Sequence, residues 1–277
     1  MKNIISFDVE DWYQASNLNE AALLNNRGEF SNRVSIGVDL IFKILAEHNT
    51  KATFFILGDT ALANPELVKR INIFGHEIAA HGFRHTSLNS LSPQEFRQDI
   101  RKALEIITAI TGLPVKGYRA PNYTVGKDTF WVLDILKEEG FKYDASIYPL
   151  RRFTRGGFPG FRRDPHYLPN GLIEVPMTTL SLMNFRLPLA SGFYFRAYPY
   201  WFTSWAIKKV NRQGIPAVID LHPWEFDLEQ PRIKTKLFYR LRHYLNLSSV
   251  EEKLSRLLKS YAFTKVEDFL LDAGFKL

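Results

Sequence analysis

Residues 52–85 read ATFFILGDTALANPELVKRINIFGHEIAAHGFRH. Ala52–Leu57 is β-branched and aromatic, and Gly58 ends it, which predicts a buried strand. Pro65–Phe74 places its apolar residues at helical spacing and stops at Gly75, as a helix does. Glu77–Ala80 is a second short apolar run. Strand, helix and strand in so few residues form a βαβ unit, and such a crossover makes its two strands parallel. Directly after the second strand stands His81-Gly82-Phe83-Arg84-His85.

The same rhythm extends in both directions. Asn3–Phe7 is an apolar run that ends in Asp8-Val9-Glu10-Asp11. Arg33–His48 is helical in pattern, with Ile36, Leu40, Ile44 and Leu45 on one face. Ser92 with Glu95 forms a capping box for a helix that runs to about Thr111 and stops at Gly112. Val115–Tyr118 is a short strand, Asp128–Glu139 a helix closed by Gly140, and Tyr143 begins another strand. Trp201–Gln213 is a helix and Ala217–Leu221 a late strand. Alternation of this kind predicts an α/β fold with about seven parallel strands, arranged as a closed or nearly closed β/α barrel. An open doubly wound sheet is the alternative. Residues 150–200, rich in Gly, Pro, Arg and aromatics, read as an insertion of loops or short antiparallel strands over the mouth of the site. From 232 onward the chain reads as helical and basic. Nothing requires a linker, so a single domain is expected over 1–277. Its parts are a motif-bearing barrel over 1–225 and a basic helical extension, 226–277, packed on it.

The 277 residues are 45% apolar, as a sizeable core requires, and include no cysteine. Thiolate chemistry is thereby excluded, and any metal has His, Asp, Glu or carbonyl ligands. The opening MKNIISFDVEDWYQ meets acids before it reaches the roughly 7–15 apolar residues of a signal peptide. No run approaches the about 20 apolar residues of a membrane span. A cytoplasmic protein, with peripheral attachment to the inner membrane as an option, is the expectation. The net charge of +7 gathers in 151–163 and 232–242. Solvated faces account for such runs most simply. An anionic glycan or lipid surface is the sharper reading, and no nucleic-acid-binding motif accompanies the charge.

Reactive residues of parallel α/β folds sit at the carboxyl ends of strands, and four polar clusters fall there. The first is Asp8 to Asp11, the second His81 to His85, the third Arg119-Ala120-Pro121, and the fourth Leu221-His222-Pro223. Histidines four apart share one face if the segment is helical, and two imidazoles there can hold one metal ion. Asp8 and Glu10, two apart at a strand end, point the same way, so one can bind metal and the other stay free as a base. Asp11 suits a helix cap. Arg119 suits a bidentate grip on a carboxylate. His222 alone is ambiguous, with Asp220 and Glu225 near enough to tune it.

Together these residues resemble the polysaccharide deacetylase family, the NodB-homology carbohydrate esterases. Its first motif stands as Ser6-Phe7-Asp8-Val9-Glu10-Asp11, its second as His81-Gly82-Phe83-Arg84-His85, its third as Arg119-Ala120-Pro121-Asn122 and its last as Leu221-His222. ATFFILG is similar to the family's second strand. The spelling FDVEDWYQ, with HPWEF late and a basic tail, resembles the subgroup found with exopolysaccharide biosynthesis systems. Asn122 replaces the usual aromatic residue, and Tyr143-Asp144-Ala145-Ser146 matches the fourth motif only loosely.

The resemblance implies a distorted seven-stranded (β/α) barrel of the NodB type. It implies a hydrolase that removes acetyl groups from N-acetylated sugars, using one divalent ion: zinc first, with cobalt, nickel or manganese as alternatives. Glu10, His81 and His85 are the implied ligands, with Asp11 as the rival to Glu10. Asp8, oriented by Arg119, is the implied base, and His222 the implied acid toward the leaving amine. A backbone N–H near Asn122 or Tyr123 is expected to stabilise the oxyanion. Tyr123 and Trp224, with Trp12, are expected against the sugar. Rival expectations are a hydrolase of small cyclic amides or ureides on the same fold, an O-deacetylase, and a non-catalytic glycan-binding homologue.

Overall fold

The structure, a computed structural model, describes residues 1–15, 18, 32–150, 158, 160–182, 185–189 and 191–277. The basic run at 151–157 lies outside the described residues. The strands are β1 (Asn3–Val9), β2 (Thr53–Ile56), β3 (Glu77–Ala80), β4 (Gly117–Tyr118), β5 (Tyr143–Asp144) and β6 (His166–Tyr167), followed by β7 (Ile173–Glu174), β8 (Thr179–Leu182), β9 (Phe185–Pro188), β10 (Val218–Leu221) and β11 (Phe263–Thr264). The main sheet has the lateral order β10-β1-β2-β3-β4-β5-β7-β6, and β11 also pairs with β1. From β10 to β7 every pairing is parallel. Those seven parallel strands are the expected number. β6 joins β7 antiparallel, and β8 with β9 forms a separate hairpin.

Lateral order follows chain order from β1 to β5, and β10 returns to the far side of β1. That is the winding of a β/α barrel. Among the described residues no ladder joins β10 to β6, so the barrel is open. The bridge from Ser191 to Asp220 borders the opening.

β1 is buried along all seven residues, as a central parallel strand covered on both faces must be. The helix Val34–Glu47 covers it with Val34, Val38, Ile41, Phe42, Ile44 and Leu45. The buried face is turned away from Ile36, which is 46% exposed. The expected helix Asp128–Glu139 is shorter. A single 3-10 turn, Lys127–Thr129, precedes a helix restricted to Val132–Glu138. Ser92 and Glu95 make the expected capping box, and Gly112 closes that helix, Pro93–Thr111, in the left-handed conformation.

The tail is not purely helical. After helix Leu237–Tyr244, helices Val250–Ser260 and Val266–Asp272 are joined by β11, which pairs with the start of β1, Asn3 with Phe263 and Ile4 with Thr264.

Candidate active site

Each expected site residue stands at or just past the carboxyl end of a strand. Asp8 is the last residue but one of β1, His81 follows β3, Arg119 follows β4 and His222 follows β10. Parallel register brings these ends to one level, with Ser6 paired to Asp220 and Ala80 paired to Tyr118.

His81 and His85 do meet, but not on a helix. Residues 81–87 form a bend without helical structure. Gly82 turns the chain at φ +82°, and its Cβ position is 2.9 Å from Asp99 Oδ2. Asp99, from helix Pro93–Thr111, accepts the Phe83 N–H at 2.7 Å. The left-handed residue and this pin, not a turn of helix, place the rings 5.7 Å apart. Glu10 likewise lies beyond the strand pleat, in a tight turn where its N–H donates to Asp8 C=O at 2.9 Å.

His81 Nδ1 lies 2.8 Å from the carbonyl of Arg119. A carbonyl only accepts, so Nδ1 carries the proton and Nε2 of the neutral ring presents a lone pair. That lone pair faces Glu10 Oε1 at 3.2 Å, and His85 Nε2 faces the same oxygen at 2.9 Å. Acceptor against acceptor requires a cation between them, either a proton or a metal ion. Glu10, His81 and His85 each offer one ligand atom, all within 4.8 Å of one another. The donor set, two imidazoles and one carboxylate with a backbone carbonyl behind one imidazole, suits a divalent transition metal. The same site holds charge. Burial opposes ionisation of Glu10, yet the charges of His85 and His222 keep it well below the carboxylate range. Burial opposes the His81 cation too, and the charges of Asp8 and Glu10 overcome it.

Asp11 is elsewhere employed. Its Oδ1 accepts from Trp12 N–H, and its Oδ2 from the N–H groups of Arg33 and Val34. It caps the 3-10 turn Trp12–Gln14. Of the two candidate acids, Glu10 alone stands beside the imidazoles.

Arg119 is fully buried. Its Nη1 donates to Asp8 Oδ1 at 2.7 Å, Asp220 Oδ1 at 2.7 Å and Ser6 Oγ at 2.9 Å. Its Nε donates to the Ala145 carbonyl at 3.2 Å, and its plane lies 3.9 Å over the Phe55 ring. The grip on Asp8 is through one nitrogen, not the expected fork, because Asp220 competes for it. Burial, then the charge of Asp8, pushes the Asp220 carboxyl up to about 7.

His222 Nδ1 lies 2.8 Å from Glu225 Oε1, which also accepts the His222 N–H at 3.0 Å. Burial opposes its protonation, but the charge of Glu10 and the bond to Glu225 push it up to about 10. Asp8, Glu10 and His222 also bring ligand atoms within 4.8 Å of one another. Acid and base candidates therefore share one cleft of about 100 Å³, walled by Tyr123, Phe193, Tyr194 and Trp224.

The expected aromatic contacts are more embedded than a sugar platform. Tyr123 is mostly buried and its hydroxyl donates to Asp220 Oδ2. Its N–H donates to the Ala120 carbonyl at 3.1 Å, which removes it as an oxyanion donor. Trp224 lies between His222 and His243, 5.3 and 4.2 Å from their ring centres. Trp12 is fully buried in a side cluster.

Asp220 and Glu225 were legible only as neighbours of His222, and Arg196 was not legible at all. Asp220 had one signal, a carboxylate inside the apolar run AVIDL. Arg196, within an aromatic stretch, had none.

Fold and site together define an open β/α barrel with a His-carboxylate cluster at the carboxyl ends of its strands. Residues 35–143 match the family model described as polysaccharide deacetylase, and residues 145–271 match one described as a domain of unknown function (DUF3473). Over residues 35–143 the chain is similar to the polysaccharide deacetylase family. It is 40% identical over 172 residues to a Bacillus cereus protein named peptidoglycan-N-acetylglucosamine deacetylase, covering 56% of this chain and 62% of that one. The chain thus spans less than two thirds of the length of this curated relative. Among solved structures, a putative polysaccharide deacetylase from Mycobacterium smegmatis aligns with TM-score 0.64 at 20% identity, over 98% of this chain and 91% of that one. The PuuE allantoinase aligns with TM-score 0.62 at 17% identity, over 96% and 87%. Deacetylases and an allantoinase share the fold, so the fold alone selects no substrate.

Proposed function

We propose that this chain is a metal-dependent hydrolase that removes acetyl groups from N-acetylated sugars of a polysaccharide or its precursor. The observation that carries the reading is the pair of imidazole Nε2 atoms aimed at one Glu10 oxygen beside the Asp8–Arg119 pair. Glu10, His81 and His85 would hold the divalent ion. When bound, that ion supplies Lewis-acid polarisation of the acetyl carbonyl and makes water a stronger acid.

The chain's own residues do the rest. Asp8 is the base and takes a proton from the attacking water at its carboxylate. Arg119 holds that carboxylate in place through Nη1 at 2.7 Å. His222, held at Nδ1 by Glu225, delivers a proton from Nε2 to the departing amine, which leaves poorly unless protonated. Tyr123 and Trp224 wall the cleft and shape the sugar's seat.

The Bacillus cereus relative's name supports an N-acetylated amino sugar as substrate. The spelling FDVEDWYQ and HPWEF supports a role with an exopolysaccharide. No described helix is long and apolar enough to cross a membrane. The exposed helix Leu237–Tyr244, with five cations and no acid between Gln230 and Val250, supports docking on an anionic lipid surface.

Metal content and acetate release from N-acetylated oligosaccharides test the reading, in wild type, His81→Ala, Glu10→Gln and Asp11→Asn. His81→Ala and Glu10→Gln should lose both metal and activity. Asp11→Asn should keep the metal and lose about 1 kcal/mol of stability through its weakened cap. Full activity in His81→Ala, or protein that takes up no divalent ion, would refute the mechanism.

A further inference from the structure

Arg196 sits in the short helix Gly192–Ala197 and is almost fully buried. Its guanidinium makes four hydrogen bonds of two kinds. Nε donates to Glu225 Oε2 at 2.6 Å. Nη1 donates to the carbonyls of His243 at 2.8 Å and Leu245 at 2.7 Å, and Nη2 donates to that of Arg242 at 3.0 Å. Those carbonyls lie at the end of helix Leu237–Tyr244, where the last C=O groups lack partners within the helix. A cation there also meets the negative end of the helix dipole. The planar guanidinium is thus held on one side by fixed backbone and grips a carboxylate on the other.

That carboxylate has no remaining freedom. Glu225 Oε2 is taken by Arg196, and Oε1 accepts from His222 N–H and faces His222 Nδ1. Glu225 itself is fully buried. The indole of Trp224 supports the same unit, stacked at 11° on His243 and at 29° on His222. Every part of this chain of contacts beyond His222 and its 3-10 turn lies in the segment that matches the domain of unknown function, as His222 does.

We propose that Arg196 is a positioning residue for His222. Anchored on the end of helix Leu237–Tyr244, it fixes Glu225, and Glu225 fixes the ring so that Nε2 faces the cleft. The segment of unknown function would then complete the acid half of the site, and the tail would be part of its machinery. The inference rests on the reading of His222 as the acid.

The test uses the full chain with Arg196→Lys, Arg196→Met, Glu225→Gln and His222→Ala. Two readouts are taken: kcat and KM for acetate release, and the hydrogen-bonded ring N–H proton of His222 by NMR, assigned by its loss in His222→Ala. Arg196→Met should lower kcat about 10–100-fold, the range for losing a group that orients a reacting residue, with KM little changed. It should also lose or broaden the ring N–H signal. Arg196→Lys should recover part of both, because it restores charge without the planar fork. Arg196→Met added to Glu225→Gln should cost little more than Glu225→Gln alone.

If Arg196→Met does not fold, Arg196→Lys and Glu225→Gln carry the test. An unchanged ring N–H signal with unchanged kcat in Arg196→Lys and Glu225→Gln overturns the proposal. So does a full additive loss in the double variant. Unimpaired activity in His222→Ala, with the ring signal still dependent on Arg196, would instead refute the reading of His222 as the acid while leaving the clamp in place.

Discussion

Replacing Arg119 by Met tests the centre of the site. Methionine fills much of the same volume over Phe55 but removes the guanidinium that touches both Asp8 and Asp220. Two buried carboxyls then face each other without the guanidinium between them. Removing one partner from a buried ion pair costs about 3–5 kcal/mol. Relief is available here, because Asp220, already pushed up to about 7 beside Arg119, rises further and takes a proton. The expected loss therefore falls at the low end, about 3 kcal/mol.

Its pH dependence has a definite sign. A carboxyl whose folded pKa lies above its unfolded value disfavours the fold more as pH rises. The penalty in Arg119→Met should then be larger near about pH 8 than near about pH 5.5. Adding Asp220→Asn should return roughly 1–3 kcal/mol, since it removes a buried carboxyl that has lost its guanidinium. Urea unfolding of the wild type, the single and the double variant at both pH values measures these differences. Acetate release on the same proteins should fall about 100- to 10,000-fold in both variants, as expected when a general base is left unaimed. The reasoning is refuted if Arg119→Met unfolds with wild-type free energy at the higher pH, or if Asp220→Asn returns nothing.

Three other outcomes are expected. Gly37→Ala should destabilise despite the about 1 kcal/mol that alanine gains in a helix, because its Cβ would meet Pro223 O at 1.9 Å. It should also lower kcat by shifting the His222 loop, and thermal melting that shows a more stable protein would contradict this. His76 is buried against Phe42, with Nδ1 accepting the Ala52 N–H at 3.3 Å, and burial followed by the charge of Lys51 lowers it to about 4 from 6.5. A lowered histidine contributes stability that is full above 6.5 and is lost as pH falls toward 4, at most about 3 kcal/mol. His76→Gln should flatten that decline in melting temperature, and parallel curves for the two proteins would count against it. Leu237, Phe238 and Leu241 are 69, 67 and 53% exposed on the basic tail helix. Wild type should sediment with vesicles of phosphatidylglycerol and phosphatidylcholine but not with phosphatidylcholine alone, and Phe238→Ser with Leu241→Ser should not. Equal binding to both vesicle types, or to both proteins, would sink the membrane reading.

What could be read from the chain, and what could not, divides along sequence distance. The strand at Glu77–Ala80, the capping box at Ser92 and the seven-strand count rest on local pattern, and local pattern suffices for them. The gathering of Asp8, His81, Arg119 and His222 also followed from pattern, because parallel strands place their carboxyl ends at one level. Geometry within a cluster did not. A spacing of four suggested a helix for His81 and His85, but Gly82 in the left-handed region and the Asp99 pin build a bend instead.

Partnerships between clusters were harder still. Asp220 meets Arg119 across 101 positions, and Arg196 meets Glu225 across 29. No periodicity encodes such pairs. Tyr123 and Trp224 show the same limit from the other side. An aromatic residue beside a catalytic motif suggests a sugar platform, yet Asp220 needs the Tyr123 hydroxyl as a donor and His222 needs a flat support behind its ring. Both rings are drawn inward by those needs. A buried acid or imidazole thus recruits its supports from wherever the fold brings them, and only the fold says which residues those are.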